Sequence, residues 1–121
     1  MLRVSAMTTE TEVDLQGVNG DAAGAATGIE YGAELMSFAE SLAQRDEYGL
    51  ARSRTAVRHA AGDKVLVDAA GVAANFQRMV RIADSIGIPF DNMQSDFVNS
   101  IQTELNLTRF ASAQHSLADI Q

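Results

Sequence analysis

The sequence has no cysteine and no tryptophan, one proline and two histidines. Without cysteine there is no disulfide framework, no thiol nucleophile, no redox pair and no thiolate metal site. Two histidines without a His-Glu-x-x-His pattern leave a zinc hydrolase nothing to build on. Basic residues are scarce: 9 against 16 acidic ones, for a net charge of -7. That balance argues against a general nucleic-acid binder. No apolar run approaches the ~18 residues of a membrane span. The first residues hold one arginine and then meet Thr8, Thr9, Glu10 and Glu12, too early for the apolar core of a secretory signal. The expectation is a cytoplasmic protein with no cofactor, no metal, no membrane and no nucleic acid. Met1 and Met7 both stand as possible starts.

What is present is helical pattern. The chain has 121 residues, of which 46% are hydrophobic, enough for one small domain. Residues 1–28 carry Glu10, Glu12, Asp14 and Asp21 against Arg3, no aromatic residue, and glycines at 17, 20, 24 and 28. They are expected to form a flexible acidic tail. The rival reading is a short strand over 13–18. Gly24 to Gly28 resembles a phosphate loop only loosely, since it lacks the Gly-Lys-Ser/Thr step. A helical domain is expected over 29–112, and a frayed C-terminus over 113–121.

Four helices are predicted. The first runs over 29–44, with Thr27 and Glu30 as a capping box and Tyr31, Leu35, Phe38 and Leu42 on one face. The second runs over 47–61, capped by Asp46 and ended by Gly62, with a thin apolar face of Leu50, Ala51, Val57, Ala60 and Ala61. The third, 64–86, capped by Asp63, carries the strongest signal. Val65, Ala69, Val72, Phe76, Met79, Ala83 and Ile86 form a continuous stripe. Leu66, Val67, Ala70, Ala73, Val80 and Ile82 widen it, so the helix is expected to be central and buried on two sides. It is roughly 34 Å long and ends at Gly87-Ile88-Pro89. The fourth runs over 92–105, with Asp91 and Gln94 at its start and Asn106 at its end. Arg109-Phe110-Ala111 is read as a last docked turn. Short connections place successive helices antiparallel. The fold class expected is therefore all-α, a small bundle of about four helices around the central apolar helix 64–86.

Few residues can carry chemistry. His59, near the end of the second helix, is a candidate general base or an exposed histidine favoured at a helix C-terminus. His115 lies in the expected frayed end. Arg45, Arg52, Arg54, Arg58 and Lys64 form the one basic cluster, a candidate anion grip or a solvated face. Asn75, Arg78, Arg81 and Asp84 interrupt the third helix. Arg81 and Asp84 are spaced to pair along one face. These four, with His59, form the candidate polar cluster, lining a small cavity or fixing how helices or subunits meet. Met36, Met79 and Met93 read as core filler.

The run from Asp68 through Asn75-Phe76, Arg78, Ala83-Asp84 and Gly87-Ile88-Pro89 resembles the last core helix of the alkylhydroperoxidase D-like proteins, the carboxymuconolactone decarboxylase superfamily. Residues 34–42 are similar to the helix that precedes it there. The resemblance covers about residues 30–110. It implies an all-α fold and usually a homo-oligomer whose helices pack between subunits. Peroxidase members use a Cys-x-x-Cys pair with a nearby histidine, and no residue here matches that pair, so no catalytic residue carries over. The expected function is a helical self-associating domain without peroxidase activity. The alternatives are a non-redox enzyme of the decarboxylase type, or part of a longer peroxidase-like protein.

Overall fold

The computed structural model describes residues 2–26, 28–88 and 96–113. The fold is all-α, and no strand occurs among the described residues. The described residues form five α-helices in order: α1 Leu2–Thr9, α2 Ala22–Ala26, α3 Gly32–Gln44, α4 Glu47–Ile86 and α5 Asp96–Glu104. Short 3-10 turns occur at Leu15–Asn19, Leu107–Arg109 and Ala111–Ala113. By internal packing the chain divides into two units, Met1–Asn75 and Phe76–Gln121, and the division falls inside α4.

In the first unit, the segment expected as a flexible tail instead folds into α1, a 3-10 turn and α2. Two of the acidic residues that gave it a tail-like charge are caps. The Asp14 carboxylate accepts from the Gln16 N–H at 2.9 Å and starts the 3-10 turn. The Asp21 carboxylate accepts from the Ala23 N–H at 3.0 Å and starts α2. Both satisfy backbone donors that a short helix leaves open. Two glycines serve close approach. A Cβ on Gly17 would lie 2.7 Å from the Ala25 backbone, and one on Gly32 would collide with the Ala25 carbonyl. Ala25, in α2, therefore sits against both the 3-10 turn and the start of α3, and Leu15 and Ala25 are buried. Small residues pack this region where bulky ones are lacking.

Helix α3 starts at Gly32, three residues later than the sequence pattern predicts. Tyr31 precedes it in the left-handed region (φ 56°) and makes no side-chain cap. Glu30, the expected partner in a capping box, lies before the helix start. Thr27 lies outside the described residues. The other end is as predicted: Arg45, at φ 58°, closes α3 by donating its N–H to the Leu42 and Ser41 carbonyls. Asp46 caps α4, accepting from the Gly49 N–H at 3.0 Å.

Helical structure then runs from Glu47 to Ile86 with one break, at Gly62, whose φ of 86° and ψ of 172° lie outside any helix. The two helices predicted from the sequence are thus the two arms of α4. A Cβ on Gly62 would touch nothing within 4 Å, so it is the backbone angle, not crowding, that calls for glycine. Asp63 does not cap the second arm as predicted; its carboxylate accepts from the Arg58 Nε at 2.6 Å across the break. The core of the unit is Phe38 from α3, Val57 from the first arm and Leu66 from the second, with Leu35, Leu50, Val65, Ala69 and Ala70 packed around them.

The second unit contains the distal end of α4, helix α5 and the two later 3-10 turns. Helix α5 covers Asp96–Glu104, the part of the predicted fourth helix that is described; Asp91 and Gln94 lie outside the described residues. Leu105 and Ala113 are buried. Asn106 adopts the left-handed conformation predicted for it (φ 49°, ψ 49°). The Arg109 guanidinium stacks 4.7 Å from the Phe110 ring centroid, a cation–π contact. Residues 114–121, with His115, lie outside the described residues.

Candidate interaction surface

The polar residues proposed from the sequence do not assemble into an enclosed site. His59, Asn75, Arg78, Arg81 and Asp84 are all exposed. No ion pair joins Arg81 to Asp84 among the described residues. The reason is the helix that carries them. Its distal arm is not buried on two sides, so these polar residues are exposed to water. The basic cluster is likewise exposed at Arg45, Arg52, Arg54, Arg58 and Lys64, and Arg58 is engaged by Asp63. An exposed guanidinium–carboxylate pair of this kind is a surface strut, not a ligand grip.

Three further features bear on catalysis. Between α3 and the first arm of α4 lies an open cleft of about 440 Å³, lined by Glu34, Ser37, Ser41, Asp46, Arg52 and Ser53 among others. Half of these polar side chains are committed locally, Asp46 as the cap of α4. The Ser41 hydroxyl donates to the Ser37 carbonyl at 2.8 Å, and the Ser53 hydroxyl donates to the Leu50 carbonyl at 3.3 Å. No buried side-chain nitrogen or oxygen among the described residues lacks a hydrogen-bond partner. Nothing in the cleft therefore requires a ligand. Tyr31 has a displaced pKa: the hydrogen bond to Glu30, and then that carboxylate's negative charge, raise it above the ordinary tyrosine value. A phenol held protonated is no nucleophile. Among the described residues no group of histidine, aspartate and glutamate could hold a metal ion. No described helix is long and apolar enough to cross a membrane.

The distinctive surface is apolar. On the distal arm of α4, Val72, Phe76, Met79, Val80, Ile82 and Ile86 are between 50% and 67% exposed. These residues lie on the stripe and flank that the sequence pattern assigned to the interior. The pattern located the face, and these residues stay half or more exposed. The proximal end of the same stripe, Val65 and Ala69, does pack on the Phe38, Val57 and Leu66 cluster. The serine cleft, by contrast, went unnoticed in the sequence. Its signal was the four-residue spacing of Ala33, Ser37 and Ser41, and of Gly49 and Ser53, which places small residues on facing helix surfaces.

Exposed large apolar side chains are unremarkable when scattered. Here Val72, Phe76, Met79 and Ile86 share one face of a helix and Val80 and Ile82 flank it on either side, so they form one broad strip. At ordinary side-chain sizes the strip amounts to roughly 600 Å², the upper end of what the largest patch on a monomer reaches. Comparison with family models, with curated proteins and with solved structures finds no match to this chain.

Proposed function

We propose that the chain is a helical self-association module that works through the distal arm of α4, not an enzyme in its own right. The observation that carries this reading is the exposed strip from Val72 to Ile86. Water contact at that strip is unfavourable by roughly 25 cal/mol per Å², and covering it with another copy recovers that free energy. The sequence resemblance of residues 65–90 to the alkylhydroperoxidase D-like proteins supports the same reading, because that family usually packs helices between subunits. A cysteine-dependent peroxidase reaction has no residues in this sequence to perform it.

The test is solution mass by light scattering after size exclusion, on the natural sequence and on Met79→Glu. The natural chain is expected to run at a clean multiple of 12.9 kDa. Met79→Glu buries a carboxylate in the covered strip. It should weaken association by about 100-fold or more while leaving helicity unchanged. A natural chain that runs at 12.9 kDa at working concentration, or a variant that associates as well as the natural chain, overturns the reading.

A further inference from the structure

Helix α4 is interrupted at a single residue. Gly62 holds φ 86° and ψ 172°, a conformation all but closed to other residues, while its neighbours on both sides are helical. No crowding imposes that angle, since a Cβ there would meet nothing within 4 Å. Nor does the surrounding sequence forbid a helix. Ala60 and Ala61 lead into Gly62, and no proline lies between Glu47 and Ile86. The backbone angles of one residue therefore separate the broken α4 from a continuous helix over the same 40 residues.

Two contacts exist only because of the break. Val57 and Leu66 share one buried cluster with Phe38. They are nine residues apart. In a continuous helix nine residues make about two and a half turns, which would set the two side chains on opposite faces and roughly 14 Å apart along the axis. They could not then share a cluster. The Arg58 Nε to Asp63 carboxylate pair, at 2.6 Å, spans five residues. In a continuous helix, positions five apart point about 140° away from one another, whereas side chains three or four apart are the ones that meet. Both contacts thus belong to the broken form. They differ in weight. The ion pair is exposed at both ends, and such pairs contribute little. Leu66 is buried, and Val65, Ala69 and Ala70 pack beside it. Burial of the second arm is therefore the main force against straightening.

We infer that Gly62 is a hinge between two forms of α4, and that Leu66 is the latch that keeps the broken form. Release of the latch turns α4 into one continuous helix and uncovers Phe38, Val57 and Leu66 together. The contacts involved lie within one chain and inside the first unit, so the hinge is independent of self-association.

Because the chain has no cysteine, two introduced cysteines are its only sites for a thiol-directed spin label. Ala51→Cys and Ala74→Cys replace exposed alanines, one on each arm. The separation is read by double electron–electron resonance, with labelled chains diluted into excess unlabelled ones so that only distances within a chain count. A continuous helix sets these positions roughly 35 Å apart, and a break brings them nearer. The doubly labelled chain with no further change is expected to give the shorter distance. Gly62→Ala disfavours the backbone angle of the break and favours the helix. Leu66→Gln removes the latch and keeps a good helix former. Each is expected to shift the distance to roughly 35 Å, with helicity by circular dichroism retained. A chain that already shows the long distance without either change, or either variant that keeps the short one, overturns the inference. Loss of helicity in either variant overturns it too, for α4 would then unfold at the break instead of straightening there.

Discussion

Phe38 and Phe76 occupy equivalent places in the sequence pattern, each at the centre of an apolar helical stripe, yet one is 4% exposed and the other 60%. Phe38 has Val57 and Leu66 against it, supplied by the two arms of α4. Phe76 belongs to the second unit and is not among the residues packed on that core. Helical periodicity thus reports which side of a helix avoids water. It does not report whether the cover comes from the same chain. Where one chain has only 6% aromatic residues and no tryptophan, there is little bulk available to cover a long apolar helix twice.

The sharpest way to break this comparison is to truncate both rings. Phe38→Ala should cost about 3–5 kcal/mol of stability, the usual cost of emptying a buried aromatic site, and in a domain this small it should abolish cooperative unfolding. Phe76→Ala should leave the unfolding transition of the dilute chain nearly unchanged and weaken association instead. Urea unfolding followed by circular dichroism, below the association range, separates the two. Equal destabilisation by both variants would mean that Phe76 is covered within its own chain. A smaller effect is expected at the glycine contacts. Gly32→Ala places a methyl group against the Ala25 carbonyl, and relieving that clash should cost roughly 1–3 kcal/mol. A neutral result in the same unfolding experiment would mean that residues 15–26 do not dock on α3. The smallest effect is expected at the surface. Arg58→Ala removes an exposed pair with Asp63 and should change stability by less than ~1 kcal/mol. A larger loss would show that the strut holds the break at Gly62 in place.

These predictions also mark how far the sequence could be read. The all-α class, the ends of helices at Arg45 and Asn106, the cap at Asp46 and the break at Gly62 were legible, because each depends on local backbone chemistry carried by one or two residues. The N-terminal segment was misread for the opposite reason. Asp14 and Asp21 looked like the charge of a tail, but each caps a turn. Gly17 looked like flexibility, but it admits the Ala25 backbone, as Gly32 does at the start of α3. Contacts through missing side chains leave no periodic signal. The candidate polar cluster was misjudged at a different step. Asn75, Arg78, Arg81 and Asp84 were expected in a buried setting because their helix is so apolar, and the burial of a helix depends on its neighbours rather than on its own residues. The Val72–Ile86 strip was legible as a face; that no part of the described chain covers it was not.

The most direct test is backbone amide exchange measured as protein concentration is raised through the association range. Residues 35–57, enclosed by their own core, should exchange at the same rate throughout. Residues 72–86 should become markedly better protected as the strip is covered by a second copy. Exchange at 72–86 that does not depend on concentration would contradict the account, for it would mean that no second chain covers this helix.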